Sequence, residues 1–188
     1  MNAVFYRKNR LLICLLVNVL LAGCMSLQSH TSIEPYTKNK QLRNEVEIKA
    51  EEFCRAKRTV SSSAQPVKQP DYIYTTDGCS RWPDDSWLAC CVVHDISYWC
   101  GGSDIDRKEA DQELRRCVNN RTNIMGSIMY LGIRMGGAPW LPTPWRWGYG
   151  WNDWPREYEN LDTSPSVKDL IKKLEIYETD EKHVSEEK

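Results

Sequence analysis

Phenylalanine is nearly missing from this chain, with two residues among 188, while tryptophan numbers eight and tyrosine nine. A core packed mainly around phenylalanine is excluded. Larger rings with a polar N–H or O–H must cover part of it. Histidine is also scarce: of three, His30 and His183 fall in polar or charged flanks, leaving His94 alone in the central region. There is no basic excess, since net charge is −1, and this argues against a nucleic-acid partner. No apolar run is long enough to span a bilayer comfortably as a helix. The longest reaches only from Leu11 to Leu21. Hydrophobic residues at 41% against charged residues at 27% exclude a wholly disordered chain and a multispan membrane protein. The length leaves room for one domain and little more.

What is present begins with an address. Arg7, Lys8 and Arg10 precede the short apolar run, the pattern of a secretory signal over residues 1–23. The run closes with Leu21-Ala22-Gly23-Cys24, which resembles the lipobox of bacterial lipoproteins. That resemblance implies cleavage before Cys24 and lipidation of its thiol. At roughly 0.8 kcal/mol per buried CH₂, three acyl chains anchor permanently. Met25 and Ser26 place no acid beside the anchor, so the resemblance implies the outer membrane of a bacterial envelope. Residues 24–42 read as a lipidated cysteine and polar tether.

Eight cysteines point to an oxidising compartment. Cys14 leaves with the signal and Cys24 is taken by lipid. Cys54, Cys79, Cys90, Cys91, Cys100 and Cys117 remain as disulfide candidates, with fifteen possible connectivities.

Along the folded part, 43–160, a first helix is expected over 43–58, with Val46, Ala50, Phe53 and Cys54 on one stripe. Asp84-Asp85-Ser86 offers N-cap chemistry for a helix over 86–99 that stops at Gly101-Gly102. Ser103 to Asp106 can cap another over about 105–119, and a mostly apolar helix is expected over 122–135. Residues 138–155 hold four prolines and five tryptophans, so they read as irregular. Their rings could cover the core or meet lipid. A short amphipathic helix over 166–178 and a charged tail complete the chain.

The chemistry concentrates in Thr76 to Tyr98. On a helix, Trp87, Cys91, His94, Asp95 and Tyr98 fall at i, i+4, i+7, i+8 and i+11. One face therefore offers an imidazole, a carboxylate and a phenol. The next helix turns Asp111 inward among Ala110, Leu114 and Val118, where an acid needs a partner. If the two helices run antiparallel, Asp111 reaches the His94 ring, and a Cys100–Cys117 bond would lock the pair.

From Thr76 to Val118 the chain resembles the phospholipases A2. These carry a Cys-Cys-x-x-His-Asp-x-x-Tyr helix (here Cys90 to Tyr98), a second antiparallel helix bearing an Asp, and an upstream calcium loop. The short bacterial branch is the nearest pattern, with its Asp-x-Cys loop (Asp77-Gly78-Cys79), Pro83-Asp84, and the acid of Arg107-Lys108-Glu109-Ala110-Asp111. The resemblance implies a mainly α fold: a core of two antiparallel, disulfide-linked helices, further helices and the Trp-rich segment. It implies calcium-dependent hydrolysis of a phospholipid acyl ester. His94 would be the general base, Asp111 would orient its ring and Tyr98 would orient Asp111. Asp77, Asp95 and the Gly78 carbonyl would hold Ca²⁺, and Cys79–Cys91 would tie the loop to the helix. Cys54 is then left for Cys90.

Two departures from the family stand out. The Asp77-to-His94 gap is shorter than in the secreted bacterial branch, and the long glycine-rich calcium loop is absent. Other readings are a structural His94, a zinc site of Cys90, Cys91, His94 and Cys100, a solvated Asp95, and an Asp111 paired with Arg115. At the level of function the rival is a non-catalytic lipoprotein of the same fold that binds calcium, lipid or an envelope partner.

Overall fold

The computed structural model describes residues 37–59 and 68–159. The signal, Cys24, most of the tether, the expected helix over 166–178 and the charged tail lie outside the described residues. Among the described residues the fold is mainly helical, with four helices and no strand.

Helix α1 (Lys40–Thr59) starts three residues before its expected beginning, inside the segment read as tether. The reason is a cap. Asn39 Oδ1 accepts from the amide of Gln41 at 3.0 Å and from that of Leu42 at 3.2 Å. The expected stripe of this helix, Val46, Ala50, Phe53 and Cys54, is buried. Helix α2 (Leu88–Cys100) is the centre of the molecule, with ten of its 13 residues buried. The expected cap at 84–86 is not used. Trp87 occupies the cap position without a side-chain capping bond, because Asp84 accepts from the Cys79 amide and Asp85 from that of Ser86.

Gly101 then takes a φ of 73° and Gly102 a φ of 143°. They turn the chain sharply through a conformation that L side chains resist. Helix α3 (Asp104–Asn119) begins on a capping box in which Ser103 and Asp106 satisfy each other's backbone amides, which removes two orphan donors at once. Helix α4 (Met125–Gly136) starts three residues later than expected and packs along α3.

All six central cysteines pair, but two of the pairings differ from expectation. The bonds are Cys79–Cys91, Cys54–Cys100 and Cys90–Cys117. The error in Cys100–Cys117 and Cys54–Cys90 is one of direction. In an antiparallel hairpin Cys100, the last residue of α2, lies beside the start of α3, whereas Cys117 lies about 20 Å further along α3 at a rise of roughly 1.5 Å per residue. The end of α3 returns to the start of α2, where Cys90 waits, and Cys100 is free to fix α1. In the chain-entropy model these loops are worth about 4 kcal/mol for Cys54–Cys100, about 3.5 kcal/mol for Cys90–Cys117 and about 3 kcal/mol for Cys79–Cys91.

The Trp-rich segment divides residue by residue between core and surface. Trp147 and Trp151 are fully buried, and their indole N–H groups donate to the carbonyls of Gly102 and Cys100. Arg58 and Arg156 both stack on Trp151, at 4.1 Å and 4.0 Å from its ring centre, where the face of the ring attracts a cation. Arg146 donates to the carbonyls of Gly148, Trp151 and Asp153 and shapes the loop from inside. Trp140 and Trp154 face outward.

Candidate active site

The hairpin of α2 and α3 sets His94 against Asp111. Nε2 donates to Asp111 Oδ1 at 2.9 Å, and the Tyr98 hydroxyl donates to the same oxygen at 2.8 Å. Asp111 is wholly buried, and its other oxygen accepts from Arg134 of α4 at 2.7 Å. Burial alone would raise the Asp111 pKa. The bonds from His94, Arg134 and Tyr98 reverse this and hold it below its usual 3.8. An ionised Asp111 can only accept, so the neutral imidazole carries its proton on Nε2 and leaves Nδ1 unprotonated.

Nδ1 lies on the side of Asp95, 3.8 Å from Oδ1, which is too far for a hydrogen bond. Burial disfavours a charged ring, yet the Asp111 and Asp95 carboxylates outweigh it and raise His94 above 6.5. For Asp95 burial comes first and pushes the pKa up. His94 and a 2.6 Å bond from Thr76 Oγ1 oppose this, and the charge of Asp77 adds to it. Tyr98 is held well above its ordinary value by burial and by Asp111, so it remains a neutral donor.

Sequence reasoning missed two participants. Arg134 is the cation that meets Asp111, in the place given to Arg115. Arg107 donates from Nε to the Tyr98 hydroxyl at 3.1 Å and from its other nitrogens to Tyr158 and to the carbonyls of Ile133 and Arg134. The signals were present. Arg107 precedes Asp111 by one helical turn, and Arg134 is the lone charge in an apolar helix.

The loop over 76–84 is closed on itself. Thr76 Oγ1 accepts from the Gly78 amide at 3.0 Å and donates to Asp95. Asp84 Oδ1 accepts from the Cys79 amide at 2.8 Å, and Ser80 Oγ donates to Asp77 Oδ1 at 2.9 Å. Gly78 has a φ of 82°, and a Cβ there would meet Asp84 Oδ1 at 2.6 Å. Only glycine fits such a position without strain.

Among the described residues no group of three or more His, Cys, Asp or Glu side chains is placed to hold a metal ion. Asp111 is taken by Arg134, which leaves Asp95 beside His94 and Asp77, whose charge acts on Asp95, as the carboxylates with no Lys or Arg paired to them among the described residues. This hard-oxygen set suits Ca²⁺ in kind, and backbone carbonyls such as that of Gly78 would have to complete it.

His94 and Asp95 line a cavity of about 300 Å³. Leu114, Met129 and Ile133 make its apolar wall, and Arg81, Trp82 and Trp145 also line it. Cys90, Cys91 and Cys100 are all in disulfides, so they supply no thiolates for the zinc arrangement. Comparisons of the chain with family models, curated proteins and solved structures return no match.

Proposed function

We propose that this chain is a calcium-dependent phospholipid acyl-ester hydrolase of the phospholipase A2 kind, held at a bacterial envelope by a lipidated Cys24. The observation that carries the reading is the His94–Asp111 pair. Its ring is bonded through Nε2 to a buried acid and leaves Nδ1 beside Asp95 at a cavity with apolar walls.

Nδ1 takes a proton from water, which attacks the ester carbonyl directly; as the ester C–O bond breaks, the imidazolium returns that proton to the leaving alkoxide, and no serine nucleophile is needed. A positioned base of this kind adds roughly 10²–10⁴-fold in rate. Asp111 fixes the ring tautomer and stabilises the imidazolium that forms, while Tyr98 and Arg134 hold Asp111. Asp77, Asp95 and the Gly78 carbonyl would hold Ca²⁺. A bound calcium ion supplies positive charge for the phosphate and the developing oxyanion. The lipid surface meets the outward stripe of α4, where Ile128, Leu131 and Met135 are exposed, and the neighbouring Trp140. Exposed apolar side chains gathered on one face mark a contact surface.

A second reading has its own observation. The amides of Gly78 and Cys79, two residues that line the cavity, are both engaged within the loop. This favours a non-catalytic module that binds calcium, lipid or an envelope partner through the same site. The two readings separate when calcium binding and fatty-acid release from phospholipid vesicles are measured on one preparation of the wild type and of Asp95→Asn. The enzyme reading expects calcium-dependent release that Asp95→Asn lacks. Calcium binding with no release refutes it in favour of the binding module.

A further inference from the structure

Arg81 is the only Lys or Arg among the residues lining the cavity. It is exposed, and no acid is paired with it among the described residues. Its guanidinium lies over the Trp145 ring, 5.5 Å from the centre, so the ring holds the cation without neutralising it. The backbone beneath is fixed. The Trp82 amide donates to the Cys79 carbonyl at 3.0 Å, and Cys79 is bonded to Cys91 of α2. Across from Arg81, α4 presents Met129, Gly132, Ile133 and Gly136 to the cavity. Glycines within a helix cost about 1 kcal/mol each relative to alanine. Here they keep the wall low beside Trp82 and Trp145. The result is a cavity with an apolar wall on the side of α4, His94 and the Asp95 carboxylate in its lining, and Arg81 as its one Arg or Lys, with no acid paired to it among the described residues.

We propose that this cavity takes an anionic amphiphile, with its chain against Leu114, Met129 and Ile133 and its phosphate or carboxylate on Arg81. The proposal rests on the phospholipid reading for its choice of site and deepens it by naming the charge of the ligand. A planar, permanently charged guanidinium suits a phosphate or carboxylate, and the ring beneath it limits the freedom lost on binding. Arg81 is then a specificity-determining residue, separate from the His94–Asp111 pair.

The test is calorimetry on the full chain in EDTA, so that neither calcium nor turnover enters. The probes are octyl phosphate, octanoate, octyl glucoside and inorganic phosphate. Octyl phosphate is expected to bind about tenfold or more tightly than either octyl glucoside or inorganic phosphate. Arg81→Gln should remove that advantage and leave octyl glucoside binding unchanged, and Arg81→Lys should restore part of it. Octyl phosphate binding more tightly than octanoate assigns the anion to a phospholipid headgroup, and the reverse assigns it to a released fatty acid. The proposal is overturned if Arg81→Gln binds octyl phosphate as the wild type does, or if octyl glucoside or inorganic phosphate binds equally well. Octyl phosphate binding to a protein that releases no fatty acid from vesicles with calcium sinks only the hydrolase reading. Release with no octyl phosphate binding sinks only the role of Arg81.

Discussion

Replacing Asp111 by Asn changes one atom and disturbs three bonds. In the wild type Oδ1 accepts from His94 and Tyr98, and Oδ2 accepts from Arg134. The amide oxygen of Asn can keep the first two, but its NH₂ then faces the Arg134 guanidinium, donor against donor. A charge-assisted bond is worth about 1.5–3 kcal/mol. Arg134 is one-quarter exposed, which screens part of its share. Loss of the carboxylate charge weakens the other two bonds as well. The expected cost is about 2–3 kcal/mol, or roughly 5–10 °C in Tm for a domain of this size.

The pH dependence gives the sharper check. Asp111 has a depressed pKa, so its contribution is present above the unfolded value of 3.8 and is lost as pH falls through the folded value. His94 has a raised pKa, so its contribution is complete below the unfolded value of 6.5 and is lost as pH rises through the folded value. The Tm gap between wild type and Asp111→Asn should therefore be widest between about pH 4 and about pH 6.5 and should shrink on both sides. Thermal unfolding followed by circular dichroism, with the disulfides kept oxidised, measures it. A gap under about 1 °C, or one that does not change with pH, would refute an ionised Asp111 at the centre of the network.

Three further outcomes follow from the same geometry. Replacing Cys54 and Cys100 together by serine should lower stability by about 4 kcal/mol in denaturant titration, and retention of the wild-type midpoint would contradict the loop-entropy argument. Gly78→Ala must hold the φ of 82° with its Cβ pressed on Asp84. A side chain forced into that conformation is strained, so calcium affinity measured by calorimetry should fall at least tenfold. An unchanged affinity would separate that loop from the metal. Leu131→Asp with Met135→Asp places charge on the outward stripe of α4. With Cys24 also replaced by serine, so that no acyl chain contributes, it should reduce cosedimentation with phospholipid vesicles while leaving Tm within a degree or two, and unchanged cosedimentation would remove α4 from the lipid-facing surface.

How far the sequence could be read depended on the range of each interaction. The buried stripe of α1 and the shared face of His94, Asp95 and Tyr98 follow from helical periodicity, which acts over one or two turns. The meeting of His94 and Asp111 needed only a short link and an antiparallel return. The partners of Cys54, Cys90, Cys100 and Cys117 depended on which helix ends meet, and composition does not carry that. Buried cations were hidden for the same reason. Arg58 pairs with Glu159, which lies 101 residues away, and donates to the Cys100 carbonyl, and Lys57 is buried against Asp106 and the Trp147 ring. Desolvation lowers the Lys57 pKa, and Asp106 works against that change. The tryptophans of 138–155 could not be sorted by segment, because burial there is decided ring by ring, according to which indole N–H finds a carbonyl of the Cys100–Gly102 turn.

The most direct measurement is fatty-acid release from phospholipid vesicles by the wild type and by His94→Gln, side by side, with calcium and with EDTA. The amide that replaces the imidazole can still donate to Asp111, so the fold should survive with Tm within a few degrees. The account predicts release by the wild type that EDTA abolishes and that His94→Gln loses by at least about a hundredfold. Equal release from the two proteins, or a folded wild type that binds the vesicles and calcium yet releases nothing, would contradict it.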